Sequence, residues 1–230
     1  MSVIRAVPVA LVGALAVALV GCSPDGRGPA STTRASSVLL PPEPKASPRP
    51  APGTTATRAS TQGRGASVSI PSIGLEGLRV VPYEGTTDDW PGTRIQDRGV
   101  AASPYGAGGG VGPGEVGNYL VTAHRLSAGG PLRMLPSVEK GDPVLVTAGG
   151  SVYEYVITGT RKTSFRSERS LAEQRAAVPG RPGERPTKAM ITISTCATPE
   201  DNADGNFWCD EKSNPEHRID KIGVLRAVRR

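Results

Sequence analysis

The sequence predicts an all-β domain, in which about eight short strands and one or two short helices make a closed or nearly closed antiparallel barrel. Composition is the first observation, because 29 glycines and 22 prolines among 230 residues favour many turns over long helices. The second is that short runs of β-branched residues recur between these turns. The third is that several runs alternate apolar with polar residues, which is typical of strands.

Residues 1–22 are predicted to be a targeting segment. The apolar run from Val9 to Val20 has about 12 residues, fewer than the ~20 that a membrane-spanning helix needs. It ends in Leu19-Val20-Gly21-Cys22, which resembles the bacterial lipobox, so we expect lipidation of the Cys22 thiol. The alternative is an uncleaved signal-anchor helix from Ile4 to Val20. Either arrangement tethers the chain at the outer face of the cell membrane.

Residues 23–66 are predicted to form a disordered stalk. They contain eight prolines and few large apolar residues, and such a composition buries too little apolar surface to offset chain entropy. Residues 1–66 also contain seven Lys/Arg and two Asp/Glu. They therefore contribute +5 to the formal net charge of the chain, which is +6. In the remaining residues the positive and negative charges nearly cancel and aromatic side chains are few, which argues against nucleic-acid binding. The basic stalk is better suited to weak attraction to anionic lipid or wall polymer.

The folded domain is expected to span residues 67–230. Within it the pattern predicts a helix over 170–178, with Ser170 as N-cap and Glu173 completing a capping box. One helical turn is expected at Leu132–Leu135, and an irregular segment over 86–114. The expected strands lie at 68–71, 78–82, 117–123, 144–147, 151–160, 191–195 and 219–228.

Three residues at strand ends form a candidate catalytic set. Cys196 closes one predicted strand, His124 directly follows another, and Arg218 leads the last one. A thiol, an imidazole and a guanidinium in one cleft can perform nucleophilic catalysis, because the imidazole moves protons and the cation stabilises negative charge. Taken singly, Cys196 could instead be a buried core residue and His124 a surface loop residue.

Other candidates have weaker support. His217 adjoins Arg218 in a strand, so the two side chains should point to opposite faces, which makes His124 the better base. Cys209 is expected to be a partly exposed thiol, and a disulfide with Cys196 is an alternative hypothesis. The acidic loop between Cys196 and Arg218 lacks the spacing of an EF-hand, so a solvated loop is favoured over a calcium site. The chain shows no motif for a cofactor.

These residues resemble the sortase family. The matching segments are Tyr119-Leu120-Val121-Thr122-Ala123-His124-Arg125, Thr192-Ile193-Ser194-Thr195-Cys196 and His217-Arg218-Ile219, and they occur in the family's order. The resemblance covers roughly residues 68–228. Two loop segments, 198–202 and 214–218, look most like class E sortases of high-GC Gram-positive bacteria.

The resemblance implies an eight-stranded barrel and a cysteine transpeptidase. Cys196 would attack the Thr carbonyl of a Leu-Pro-x-Thr-Gly or Leu-Ala-x-Thr-Gly sorting signal and form a thioacyl enzyme. His124 would act as general acid and base, and Arg218 would bind substrate backbone and stabilise the oxyanion. The implied partners are secreted proteins with a C-terminal sorting signal and an amine of a peptidoglycan precursor or another protein.

Two alternatives stay open from the sequence. One is a thiol peptidase that releases the cleaved protein to water. The other is a non-catalytic, wall-associated binding lipoprotein on the same barrel. The lipobox-like end at Cys22 departs from the family, whose members usually have a hydrophobic N-terminal anchor, and Ile193 stands where many members have leucine.

Overall fold

The computed structural model describes residues 60–230, so the leader with Cys22 and most of the stalk lie outside the described residues. Within residues 60–230, every helix is too short or too polar to traverse a lipid bilayer. Two 3-10 turns, Pro71–Ile73 and Leu135–Ser137, accompany eleven elements. These are β1 Ala66–Ile70, β2 Leu75–Glu84, α1 Trp90–Gln96, β3 Ala101–Tyr105, β4 Gly117–Thr122, β5 Pro143–Ala148, β6 Ser151–Ser164, α2 Glu168–Arg175, β7 Ala189–Cys196, α3 Thr198–Ala203 and β8 His217–Arg229.

The eight strands close into a barrel in the order β1-β2-β3-β4-β7-β8-β6-β5, which confirms the predicted fold class. The expectation of a purely antiparallel barrel was wrong. β2 pairs with β3 in parallel, and β4 pairs with β7 in parallel. Parallel neighbours need a crossover connection. The chain supplies one through α1 and a much longer one through β5, β6 and α2.

The segment 86–114 is more ordered than the sequence indicated. It holds α1 and β3, and Asp89 caps α1 by accepting a hydrogen bond from the Gly92 amide at 2.8 Å. β3 (AASPY) was missed because a strand buried at nearly every position shows no alternation of polar and apolar residues. The expected turn at Leu132–Leu135 continues into a 3-10 turn.

The predicted start of α2 was also wrong. Ser167, not Ser170, is the N-cap, and its hydroxyl accepts from the Ser170 amide at 3.2 Å. The Ser170 hydroxyl instead accepts from the Ser164 amide, and Glu173 binds Arg161. Both serines are plausible caps in sequence, and the path of the chain leaving β6 decides between them.

The barrel begins slightly before position 67, because residues 60–66 already contact it. The Glu115 carboxylate accepts hydrogen bonds from the Ser60 hydroxyl at 2.7 Å and the Gln62 amide at 3.2 Å. Thr61 is buried, and its hydroxyl donates to the Pro113 carbonyl at 2.8 Å. The end of the predicted stalk is therefore part of the folded domain.

The apolar core fills the barrel. Along β4 and β7, alternate residues such as Val121, Ile191 and Ile193 point inward and are buried. The residues between them, such as Thr192 and Ser194, face outward but are covered, so they are buried too. This covered outer face runs to the end of β7 and carries the site described next.

Candidate active site

The sequence-predicted residues stand at or just beyond the ends of three adjacent strands, and two of them, Cys196 and Arg218, are in contact. Cys196, the last residue of β7, lies directly opposite Arg218, the second residue of β8. In the parallel β4–β7 pair, Thr122 at the end of β4 lies opposite Ser194, and the Ala123 amide donates to the Ser194 carbonyl at 3.3 Å. His124 therefore follows the end of the strand that adjoins β7. The Thr195 hydroxyl fixes this end by donating to the Ala123 carbonyl at 2.8 Å.

Cys196 and Arg218 are in direct contact. The Arg218 side chain is only 6% exposed, and its Nη1 donates to the Cys196 Sγ. The guanidinium also stacks on the Phe165 ring, with 4.3 Å between its central carbon and the ring centroid. Arg218 is therefore held on one face by an aromatic ring and aimed at the sulfur.

Burial governs the protonation of this pair. Burial raises the pKa of the Cys196 thiol above its ordinary value, the nearby Asp88 carboxylate raises it further, and the Arg218 cation only partly offsets them. Burial alone would lower the pKa of Arg218, but the Asp88 carboxylate, the largest opposing cause, raises that pKa. The directions of the two shifts favour a protonated Cys196 thiol beside a charged Arg218 at neutral pH.

His124 lies two residues beyond the end of β4 and contacts the end of α1. Its Nε2 donates to the Asp97 carboxylate at 2.8 Å, and Asp97 is the C-cap residue of α1. No hydrogen bond within residues 60–230 engages Nδ1 or links His124 to Cys196. A histidine whose Nε2 proton is held by a carboxylate presents Nδ1 as the nitrogen that can accept and return a proton.

Arg125 contacts the backbone at Cys196 and links it to α3. It is buried, and its guanidinium makes two parallel hydrogen bonds to Glu200 of α3, at 2.9 and 3.0 Å. Its Nη1 also donates to the Cys196 carbonyl at 3.2 Å. This bidentate pair ties the end of β7 and the start of α3 to the residue after His124.

A buried polar layer lies beneath the site. Gln174 of α2 donates to Asp220 at 2.9 Å and to Ser194 at 3.2 Å. The Thr163 hydroxyl donates to the same Asp220 carboxylate at 2.6 Å. Burial nevertheless raises the pKa of Asp220. The layer holds α2 against the outer face of β7 and β8.

The weaker sequence candidates have other partners. His217 points away from Arg218, as predicted, and its Nδ1 is 2.8 Å from the buried Asp201 carboxylate. Cys196 and Cys209 are both free thiols, and Cys209 is exposed, so the structure does not support a disulfide between them.

The acidic loop binds protein cations and amides. Asp201 also pairs with Lys162, and Asp210 accepts from the Asn214 amide at 2.8 Å. In the part of the chain described here, no group of three or more His, Cys, Asp or Glu side chains is placed to hold a metal ion.

Sequence reasoning missed two carboxylates of the site, Asp88 and Asp97. The Asp88 carboxylate contacts Arg218, which is 130 positions away in the chain, and Asp97 contacts His124. Both stand in the segment that was expected to be irregular, where a single aspartate resembles an ordinary turn residue. No local signal distinguishes them, since their partners are defined only by the fold.

Comparisons with known proteins identify the domain and its fold. A family model described as a sortase domain matches residues 68–208, which is more than half of the chain. No curated protein matches the sequence.

Solved structures share the fold. The SrtA sortase from Actinomyces oris is similar with a TM-score of 0.54 and 19% identity, over 74% of this chain and 83% of that one. Sortase E from Streptomyces avermitilis gives 0.51 and 24%, over 74% and 91% of the two chains. Sortase E1 from Streptomyces coelicolor, solved with a tripeptide in its active site, gives 0.52 and 22% over the same shares.

Proposed function

This chain belongs to the sortase family, whose members are cysteine transpeptidases, and we propose that Cys196, His124 and Arg218 are its catalytic residues. The observation that carries the proposal is the pairing of Cys196 with Arg218 across β7 and β8. His124 at the neighbouring strand end supplies the acid and base that this pair lacks.

In the first half-reaction, the Cys196 Sγ attacks the carbonyl carbon of the scissile threonine, and the thiol proton passes to His124. Nη1 of Arg218 already lies at the sulfur, where a donor can stabilise the oxyanion that forms on the adjacent carbonyl. The C–N bond to glycine then breaks, and His124 gives its proton to the departing amine. A thioester on Cys196 remains.

In the second half-reaction, an acceptor amine attacks the thioester carbon. A new C–N bond forms, the C–S bond breaks, and the proton lost by the amine returns through His124 to the sulfur. No water is consumed, so the products are a new amide and the original thiol. Cys196 is only partly exposed, which limits the access of bulk water to a thioester at this position and supports transfer over hydrolysis.

For the substrate we propose a secreted protein with a Leu-Pro-x-Thr-Gly or Leu-Ala-x-Thr-Gly signal, cleaved between Thr and Gly. The acceptor is an amine of a peptidoglycan precursor. These assignments, and the class E subclass, rest on the motif resemblance around His124, Cys196 and Arg218. The Streptomyces coelicolor sortase E1 with a tripeptide in its active site supports a peptide substrate.

We also propose that the enzyme acts at the extracytoplasmic face of the membrane, where sortases generally function. The tether would be a lipid on Cys22 or an N-terminal anchor helix, as the leader sequence predicts. Mass measurement of the chain isolated from membranes separates the two, because lipidation at Cys22 adds the mass of the lipid and is accompanied by removal of residues 1–21, whereas an anchor helix keeps them.

The test is transfer of fluorescent Leu-Pro-x-Thr-Gly and Leu-Ala-x-Thr-Gly peptides to an amine acceptor by the purified full chain. The wild type should give ligated product and a thioacyl adduct on Cys196, and Cys196→Ala should give neither. Cys209→Ala is the matched control, since this exposed thiol lies outside the site, and it should behave like the wild type.

Other outcomes identify the alternative functions. Cleavage without ligation, even at high acceptor concentration, would indicate a thiol peptidase. Peptide binding without labelling of Cys196 by a thiol-reactive peptide analogue would indicate a binding lipoprotein. Retention of transfer by Cys196→Ala would end the proposal.

A further inference from the structure

The segment 85–89, between β2 and α1, reaches the site through Asp88. Asp88 has a φ of +68°, in the left-handed region that non-glycine residues rarely occupy. Its side chain is only 5% exposed. A buried carboxylate on an unfavourable backbone conformation is costly, and it persists only where the surrounding structure over-determines it.

Both neighbours of Asp88 are tied down. The Thr87 hydroxyl donates to Gln174 at 3.0 Å and accepts from Arg175 at 3.0 Å, which joins the segment to α2. On the other side, the Thr86 amide donates to the Asp89 carboxylate at 2.9 Å, and Asp89 also caps α1. These contacts hold Asp88 in place over the outer face of the barrel.

The Asp88 carboxylate engages one edge of the Arg218 guanidinium. Its Oδ1 accepts from Nε at 3.1 Å and from Nη2 at 2.6 Å. The opposite nitrogen, Nη1, is the one that donates to Cys196 Sγ. With Phe165 stacked on the guanidinium face, the carboxylate sets its rotation and the direction in which Nη1 points.

The second oxygen of Asp88, Oδ2, is buried and has no hydrogen-bond partner among the described residues. A buried carboxylate oxygen without a donor is rare, because it loses its hydration without compensation. The Asp88 carboxylate therefore has Arg218 as its hydrogen-bond partner, and Oδ2 stays unpaired among the described residues.

We propose that Asp88 is a positioning residue for transpeptidation, which fixes the guanidinium of Arg218 so that Nη1 faces the reacting carbonyl. This inference rests on the proposed function of Cys196 and Arg218. In this role Asp88 acts through Arg218, with which its Oδ1 forms both of its hydrogen bonds. The rival role for the same contact is a latch, in which Asp88 withholds Arg218 from substrate.

Two substitutions separate geometry from charge. Asp88→Gly suits the left-handed backbone and removes the carboxylate, so Arg218 loses its orienting partner. Asp88→Asn also tolerates this backbone, and its amide oxygen can still accept from Nε and Nη2. Glu84→Gln, which neutralises an exposed carboxylate at the end of β2, is the control for loss of negative charge alone.

The experiment measures kcat and KM for peptide transfer by the full chain, with competent sites counted by a thiol-reactive peptide analogue. Asp88→Gly should lower kcat per competent site by about tenfold or more, because an oxyanion donor is misplaced, and change KM much less. Added formate should restore part of the loss by filling the vacated carboxylate site. Asp88→Asn should stay within about threefold of wild type, since its oxygen preserves the hydrogen bonds to Arg218.

Three results would overturn the inference. They are wild-type kcat in Asp88→Gly, a rise above wild type as a latch requires, or a loss in Asp88→Asn as deep as that in Asp88→Gly. If Asp88→Gly does not fold, a loss of about tenfold or more in Asp88→Asn would still contradict the inference, and partial rescue by formate is then tested with Asp88→Ala. Failure of the proposed function is distinct, because the wild type itself would then give no transfer or Cys196→Ala would retain it.

Discussion

The two faces of the strands at the site are equally buried and chemically opposite. On the inner face, Ile191 and Ile193 pack into the barrel core with 0% exposure. On the outer face, Thr192, Ser194 and Asp220 are 1–2% exposed, yet all are polar. Burial alone therefore does not identify the core of this protein.

What covers each face explains the difference. The inner face meets side chains of other strands and can be satisfied by apolar contacts. The outer face meets α2 and the segment 85–89, whose polar side chains supply hydrogen bonds, such as those from Gln174 to Asp220 and Ser194. The polar layer continues to Cys196 and Arg218, so the elements that satisfy buried polar groups also hold two of the proposed catalytic residues.

The largest expected effect tests whether the outer face and its strand ends carry the chemistry. His124→Ala should reduce transfer by about 100-fold or more, because general acid–base catalysis is lost. His217→Ala is the matched control, since its side chain points away from Arg218 and binds Asp201. Rates are measured with the same peptide and acceptor, and thermal melting confirms folding. Equal losses in both variants would contradict the assignment of His124.

The inner face should instead respond in stability. Ile193→Ala should cost about 2–5 kcal/mol in the free energy of unfolding, because it leaves a cavity in a packed core. Transfer per folded molecule should change little, since Ile193 points away from the site. Urea unfolding measures the loss. A cost no larger than that of a substitution on the protein surface would mean that neighbouring side chains repack and fill the cavity.

The polar layer should give an intermediate, pH-dependent effect. Gln174→Ala removes donors to Asp220 and should cost about 1–3 kcal/mol at neutral pH. Burial already raises the folded-state pKa of Asp220 above its unfolded value, so the charged form destabilises the fold as pH rises through the folded-state pKa. Loss of the Gln174 donor removes a hydrogen bond to the charged Asp220 carboxylate and so lowers the stability of the fold further.

The cost of Gln174→Ala should therefore be larger at pH 7 than at pH 4, as measured by urea unfolding at both. Glu168→Ala, an exposed change in the first turn of α2, should cost less than about 1 kcal/mol. A pH-independent cost for Gln174→Ala would show that Asp220 is not the group affected.

The smallest expected effect is in the titration of Cys196, the proposed nucleophile. Iodoacetamide labelling of Cys196, followed by mass spectrometry against pH, should have its midpoint above the ordinary cysteine value of about 8.5, because burial raises its pKa. Arg218→Ala should move the midpoint higher and Asp88→Asn should move it lower. A wild-type midpoint below the ordinary value would contradict the protonated resting thiol.

The sequence alone determined the fold class and the three proposed catalytic residues. Each of these signals is local: strands carry short β-branched runs, and Cys196, His124 and Arg218 stand at the ends of such runs within recognisable motifs. Even the opposite directions of His217 and Arg218 follow from strand alternation.

The tertiary structure decided what surrounds those residues. The parallel β2–β3 and β4–β7 pairs, and the carboxylates of Asp88 and Asp97, depend on which distant segments meet. An aspartate in a polar segment has the same local pattern whether it faces solvent or a buried guanidinium. Its role is set by long-range packing, because the free energy of a buried charge depends on its partner and not on its neighbours in the chain.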